Sequence, residues 1–199
     1  MEKQLEKLIE LIPGAKVKCG SIDKIITDLT IDSRQVKKGS LFVCIKGVHA
    51  DGHKFIEQAF EAGAVAVLVE DFVKVPEGLT VIKVNDTTEA MTKVAPWFYD
   101  YPGKQMRIIG VTGTNGKTTT TNIIRIILRK AGFKVGLIGT INIMIEEQVE
   151  TSHNTTPDVV DLQKVLYRML EAGCDYVVME VSSHALYRFR SFIQRVING

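Results

Sequence analysis

Apolar residues along this chain recur at helical spacing in several segments and crowd into short continuous runs between them. Leu5, Leu8, Ile9 and Ile12 predict a helix over Glu2–Ile12, stopped by Pro13-Gly14. Short apolar stretches then alternate with turn residues, predicting small strands, with Leu41–Ile45 a buried one. Ile56, Ala59 and Phe60 mark the inner face of a helix over Lys54–Gly63, and the runs Ala64–Val69 and Leu79–Val84 have strand length. Asp86-Thr87-Thr88-Glu89 has the form of a capping box opening a helix whose face is Met91, Val94, Ala95 and Phe98. Pro96 inside that pattern predicts a kink or an early end.

Tyr101-Pro102-Gly103-Lys104 reads as a linker, which divides the chain into a first domain over 1–103 and a second over 104–199. The second begins with the apolar run Met106–Val111, a glycine-rich turn, and a helix with Ile123, Ile126, Ile127 and Ala131 on one face. Lys134–Ile138 is a parallel-strand candidate, Asn142–Val149 a hairpin, and Leu162, Leu166, Met169 and Leu170 a helical stripe before the strand Asp175–Val181. Strands alternating with helices predict an α/β fold, with the ligand at the C-terminal edge of a parallel sheet.

Composition narrows the class without naming a function. The 199 residues are 45% hydrophobic and 24% charged, an ordinary globular balance with enough apolar material for a core. A net charge of +2 is too small to argue for nucleic acid or an acidic membrane surface. Cys19, Cys44 and Cys174 are scattered and form no C-x-x-C pair, which reads as reduced thiols in a cytoplasmic protein. The N-terminus has no signal-peptide character and no apolar run is long enough to span a bilayer.

The chemistry concentrates in Gly110–Thr120. Strand, glycine-rich turn and helix are the context of a phosphate-binding loop: Gly113 and Gly116 let backbone N–H groups turn toward a polyphosphate. Lys117 adds a positive charge near the β- and γ-phosphates, and the Thr118 hydroxyl is placed to hold Mg2+. Val111 stands where the strict G-x-x-x-x-G-K-[ST] pattern has glycine. Glu180 ends an apolar strand in the same unit, where a carboxylate is either a Mg2+ ligand or a salt-bridged structural residue. His49, His53, His153 and His184 show no metal-ligand spacing and read as hydrogen-bonded structural residues. The polar stretches around Asp32-Ser33-Arg34 and Lys46–His53 are either surface turns or ligand contacts.

Taken together, Thr112-Gly-Thr-Asn-Gly-Lys-Thr-Thr, Asn154-Thr-Thr-Pro and Met179-Glu-Val-Ser-Ser-His-Ala-Leu resemble the Mur ligases of peptidoglycan synthesis. Asp32-Ser-Arg, Gly39-Ser-Leu-Phe-Val and Asp51-Gly-His-Lys-Phe-Ile are similar to the branch that adds the third residue of the stem peptide, and the resemblance covers about Met1–Arg190. It implies a small N-terminal α/β domain that holds a UDP moiety, followed by a truncated P-loop parallel-sheet ATPase domain. Gly113, Thr114, Asn115, Gly116, Lys117, Thr118 and Thr119 would wrap the ATP phosphates, with Thr118 and Glu180 on Mg2+ and Lys117 and Glu180 serving catalysis. Ser33 and His49 would contact the uridine nucleotide. Asn154, Thr155, Thr156, Ser182 and Arg190 would hold a UDP-N-acetylmuramoyl dipeptide.

The implied reaction phosphorylates the D-glutamate carboxylate with ATP, and the amine of a diamino acid then attacks the acyl phosphate. Lysine or diaminopimelate is left open, and the oligomeric state is unread. Ser191–Gly199 follow no motif of the family. The resemblance further implies a third, amino-acid-binding domain that these residues do not contain, so the chain is expected to hold both ligands without completing ligation alone. A non-catalytic module that captures a UDP-sugar peptide is the alternative. The Asp32 and Asn154 motifs argue against an unrelated P-loop kinase.

Overall fold

The structure is a computed structural model that describes residues 1–47, 50–71, 74–151 and 158–181. It divides into two compact units, Met1–Phe98 and Tyr99–Gly199, where the linker pattern had suggested a change near residue 103.

In the first unit a two-residue strand, β1 (Lys3–Gln4), precedes α1 (Leu5–Glu10), so the helix begins later than its apolar spacing suggested. Leu5, Leu8 and Ile12 are buried. The strands β2 (Lys16–Cys19), β3 (Ile25–Ile26), β4 (Asp28–Thr30), β5 (Ser40–Val43), β6 (Ala66–Val69) and β7 (Thr80–Lys83) follow, with α2 (Ile56–Glu61) between β5 and β6 and α3 (Thr87–Phe98) after β7. β1 pairs with β3, and the main sheet runs β2-β7-β6-β5-β4, parallel except for β2. Its inner strands β5 and β6 are buried on both faces, as their near-continuous apolar runs require, while the edge strand β2 is largely exposed. One face packs Phe42, Val67, Val69 and Val81 with Ile56 and Ala59 of α2.

Asp86 Oδ1 accepts the Glu89 N–H at 2.8 Å, but the reciprocal half of the capping box is absent because the Glu89 side chain pairs with Lys93. α3 continues two residues past Pro96 instead of ending there. Pro96 lies in the last turn, and the burial of Val94, Ala95 and Phe98 holds the helix across it.

The second unit contains β8 (Arg107–Val111), α4 (Lys117–Lys130), β9 (Val135–Ile138), the hairpin strands β10 (Asn142–Ile145) and β11 (Gln148–Thr151), α5 (Val159–Glu171) and β12 (Tyr176–Glu180). The sheet order is β11-β10-β9-β12-β8. β12, last of the five in sequence, lies between β9 and β8 and parallel to both. Val135, Leu137 and Val178 form a core with Ile124 and Leu128 of α4. The aliphatic face read from the sequence is the other one: Ile123, Ile126 and Ile127 are 52%, 51% and 60% exposed. α5 buries Leu162, Val165, Leu166 and Met169, and Gly136 lets it approach β9, since a Cβ there would stand 2.5 Å from the Met169 sulfur.

Candidate functional site

The C-terminal edge of the second sheet gathers three chain segments. β8 ends at Val111 and the chain turns through Thr112–Gly116, all exposed, before α4 begins at Lys117. Gly113 has φ 147° and Gly116 has φ 77°, conformations that side chains with a Cβ rarely adopt. A Cβ on Gly116 would meet nothing within 4 Å, so glycine is required there for its backbone angle while the space around it stays open.

The α4 N-terminus is unfinished. Gly116 supplies no side-chain cap, the first turn holds no acid, and the first helical bond is Thr120 N–H to Gly116 O at 2.9 Å. The N–H groups of Lys117, Thr118 and Thr119 therefore lack intrahelical acceptors and sit at the positive end of the helix dipole. Lys117 folds back over the loop, its Nζ donating to Gly113 O at 2.7 Å. Thr118 is exposed at the second helical position, and its carbonyl accepts from Thr121 and Asn122. Thr114, Asn115 and Thr119 are exposed beside them.

Parallel pairing sets Glu180 opposite Val111, the last residue before the loop, and Val181 N–H donates to Val111 O at 2.9 Å. Glu180 is 1% exposed. Its described partners are both on one residue: Thr140 Oγ1 donates to Oε2 at 2.8 Å and Thr140 N–H to Oε1 at 3.3 Å. Thr140 was missed by reading the sequence. The available signal was its place two residues beyond the end of a parallel strand, at the edge where open α/β sheets bind ligands.

Among the described residues a divalent cation here would find hard oxygen donors, the Thr118 hydroxyl and the Glu180 carboxylate, the ligand type Mg2+ takes together with phosphate and water. Among the described residues no three His, Cys, Asp or Glu side chains gather into a cage. The residues thus fit a cation shared with a bound phosphate.

In the first unit Asp32 and Arg34 build the turn that presents Ser33. Asp32 Oδ1 accepts the Arg34 N–H, and the Arg34 guanidinium grips both Asp32 oxygens at 2.9 and 2.8 Å. The hydrogen bond from that guanidinium holds the Asp32 carboxyl below its ordinary range. Ser33 is buried and donates to Gln58 Oε1 on α2 at 2.9 Å. Gln58 too was unread in the sequence.

Asp51 caps the turn Gly52–Phe55 and accepts from both His53 N–H and His53 Nδ1, while His53 Nε2 accepts the N–H of Glu70 at 3.1 Å. His53 is therefore a buried, hydrogen-bonded residue with both ring nitrogens engaged. A cleft of about 480 Å³ opens beside it, lined by Lys54, Glu57, Lys74 and Pro76. His49, Asn154, Thr155, Thr156, Ser182 and Arg190, with His153, His184 and the tail 191–199, lie outside the described residues.

Comparison with known proteins bears on both units. Residues 25–99 match the family described as "Mur ligase family, catalytic domain", and residues 111–196 match "Mur ligase middle domain". The UDP-N-acetylmuramoyl-L-alanyl-D-glutamate--2,6-diaminopimelate ligase of Clostridioides difficile (strain 630) is 49% identical over 182 residues, 90% of this chain and 37% of that protein. The ligase of the same name from Bacillus licheniformis is 45% identical over 187 residues, 94% of this chain and 38% of that protein.

A solved structure of a 2,6-diaminopimelate ligase superposes with a TM-score of 0.75 at 26% identity, covering 96% of this chain and 38% of the other. The MurF ligase of Thermotoga maritima shares the fold, with a TM-score of 0.60 at 23% identity over 85% of this chain and 35% of the other. The chain thus spans 35–38% of the length of these relatives. Two family matches placed in order along the two units, and close relatives that span nearly all of the chain, show that it belongs to the Mur ligase family.

Proposed function

We propose that these residues hold the UDP-substrate and ATP-phosphate parts of a ligase that joins diaminopimelate to UDP-N-acetylmuramoyl-L-alanyl-D-glutamate in the cytoplasm. The observation that carries the reading is the loop Thr112–Gly116 opening onto the unfinished N-terminus of α4, with the buried Glu180 paired beside its root. The relatives' names supply the substrate class.

On this reading the N–H groups of Lys117–Thr119 and the Lys117 ammonium take the β- and γ-phosphates. Mg2+ bound with the nucleotide supplies charge neutralisation for phosphoryl transfer to the dipeptide carboxylate. Thr118 and Glu180 face that cation with oxygen. Lys117 leaves Gly113 O for a phosphate oxygen, exchanging a neutral acceptor for a charged one. Ser33 and His49 serve the uridine end, and Asn154, Thr155, Thr156, Ser182 and Arg190 the muramoyl dipeptide.

Calorimetric titration of UDP-N-acetylmuramoyl-L-alanyl-D-glutamate into the purified chain, with Mg-ATP present, tests the reading. Saturable binding weakened about 3–10-fold by Ser33→Ala, the scale of one lost hydrogen bond, is the expected result. A folded chain that binds neither the dipeptide nor ATP would refute it. Binding of both without any acyl phosphate, trapped as the hydroxamate, would favour a capture module.

A further inference from the structure

Glu180 is more tightly placed than a ligand at the rim of an open site needs to be. It is 1% exposed at the end of the interior strand β12, and among the described residues its two oxygens are held by the hydroxyl and the backbone N–H of one residue, Thr140. A carboxylate gripped through both oxygens by one neighbour has a fixed plane, and its other lone pairs point away from that neighbour.

Thr140 is itself fixed. It sits in the short turn between β9 and β10, which closes with Gly139 N–H donating to Asn142 O at 2.9 Å, next to the register pair Ile143–Ile138. Gly139 has no unusual backbone angle; it is glycine for space. A Cβ there would stand 3.1 Å from Glu180 Oε1 and 3.2 Å from Asn142 O, tighter than nearly all such contacts. One residue therefore leaves room for the carboxylate and the next supplies its two donors.

We propose that Gly139 and Thr140 form the seat that orients the Glu180 carboxylate, with Thr140 as a positioning residue for the divalent cation that accompanies a nucleotide at the Thr112–Gly116 loop. This rests on the reading of that loop as a nucleotide site. The pairing of Glu180 with Val111 puts the oriented group beside the root of the loop. Metal affinity depends on such orientation, because a carboxylate free to rotate must be ordered when the cation binds. Removing groups that hold a ligand in place weakens metal binding by about 10–100-fold.

The test reads metal dependence, not turnover. ATP is titrated into the wild-type chain and into Thr140→Val and Thr140→Ser variants, once with EDTA and once with saturating Mg2+. The ratio of the two affinities is the observable. The wild type is expected to bind ATP more tightly with Mg2+. Thr140→Val is expected to keep its EDTA affinity and to lose about 10-fold of the metal enhancement, the lower end of that range because phosphate oxygens share the cation. Thr140→Ser, which keeps the hydroxyl, restores it.

A valine variant with the wild-type ratio overturns the proposal. So does a serine variant that fails to restore the ratio, or an equal loss with and without metal, which would mark a purely structural role. Wild-type binding that ignores Mg2+ overturns the proposal and leaves the nucleotide site standing, whereas a wild type that binds no ATP removes both. Circular dichroism checks folding. If valine disrupts the turn, Thr140→Ala removes the same hydroxyl without a second methyl against the carboxylate.

Discussion

If the loop Thr112–Gly116 holds phosphate as proposed, replacing Lys117 by alanine separates the loop's stability from its binding. In the free chain the ammonium donates to Gly113 O at 2.7 Å from an exposed position, a contact worth about 0.5–1.5 kcal/mol at most. The same charge sits at the N-terminus of α4, where the dipole disfavours it by about 0.3–1 kcal/mol. The two effects oppose each other and nearly cancel, so Lys117→Ala is expected to change the unfolding free energy by less than about 1 kcal/mol.

Binding behaves differently. A hydrogen bond from a charged donor to phosphate contributes about 2 kcal/mol, which is a loss of about 30-fold in affinity. At an ATP concentration of about 100 times the wild-type Kd, ligand linkage stabilises the wild type by about 2.7 kcal/mol and the variant by about 0.9 kcal/mol. Urea unfolding of both proteins, with and without Mg-ATP, measures all four numbers. A variant that keeps the full ligand-induced stabilisation would show that Lys117 does not touch phosphate. One that is strongly destabilised without ligand would show that its contact with Gly113 O matters more than its charge.

Three further outcomes follow from the packing. Gly136→Ala forces a Cβ to within 2.5 Å of the Met169 sulfur, so thermal unfolding should show a loss of about 1–3 kcal/mol unless Met169 swings aside. Cys44 and Cys174 are buried, which pushes both thiols up from their ordinary range, while Cys19 is partly exposed; a thiol reagent should find one fast group in the native chain and three in denaturant. The hydrogen bond from the His53 ring holds the Asp51 carboxyl below its ordinary 3.8. Its stabilisation is thus fully present above that value and lost as pH falls through the lower folded one, so the stability gap between wild type and Asp51→Asn should close in acid unfolding as pH drops below 3.8.

The loop was legible because its chemistry is written in local spacing: two glycines and a lysine after an apolar run fix both the backbone angles and the charge, wherever the unit lies in the fold. The inner face of α4 was not. Ile123, Ile124, Ile126, Ile127 and Leu128 spread over more than half of the helix circumference, and only the sheet selects Ile124 and Leu128. Pro96 does not end α3, because the burial of its neighbours, which the sequence pattern did not weigh, holds the helix across it. Thr140 was missed for a third reason. A Gly-Thr pair after a strand is an ordinary turn until the order β9-β12-β8 brings it against a carboxylate forty residues away.

On the reading proposed above, the two helices of the second unit show why a phosphate-binding loop would be left incomplete. α5 is finished from within: Asp158 accepts the N–H groups of Val160 and Asp161 at 2.9 Å each, and Asp161 places a negative charge in its first turn. A cap of that kind contributes about 0.5–2 kcal/mol. α4 forgoes it entirely, with a glycine cap, a lysine first and four threonines after it. Both helices flank the same sheet, so an internal cap on α4 would cost nothing in topology and would gain stability. It would also occupy the N–H groups that a polyphosphate needs. On the reading proposed above, the missing side-chain acceptor is supplied by the substrate, and the loss in stability of the free chain is returned as ligand affinity.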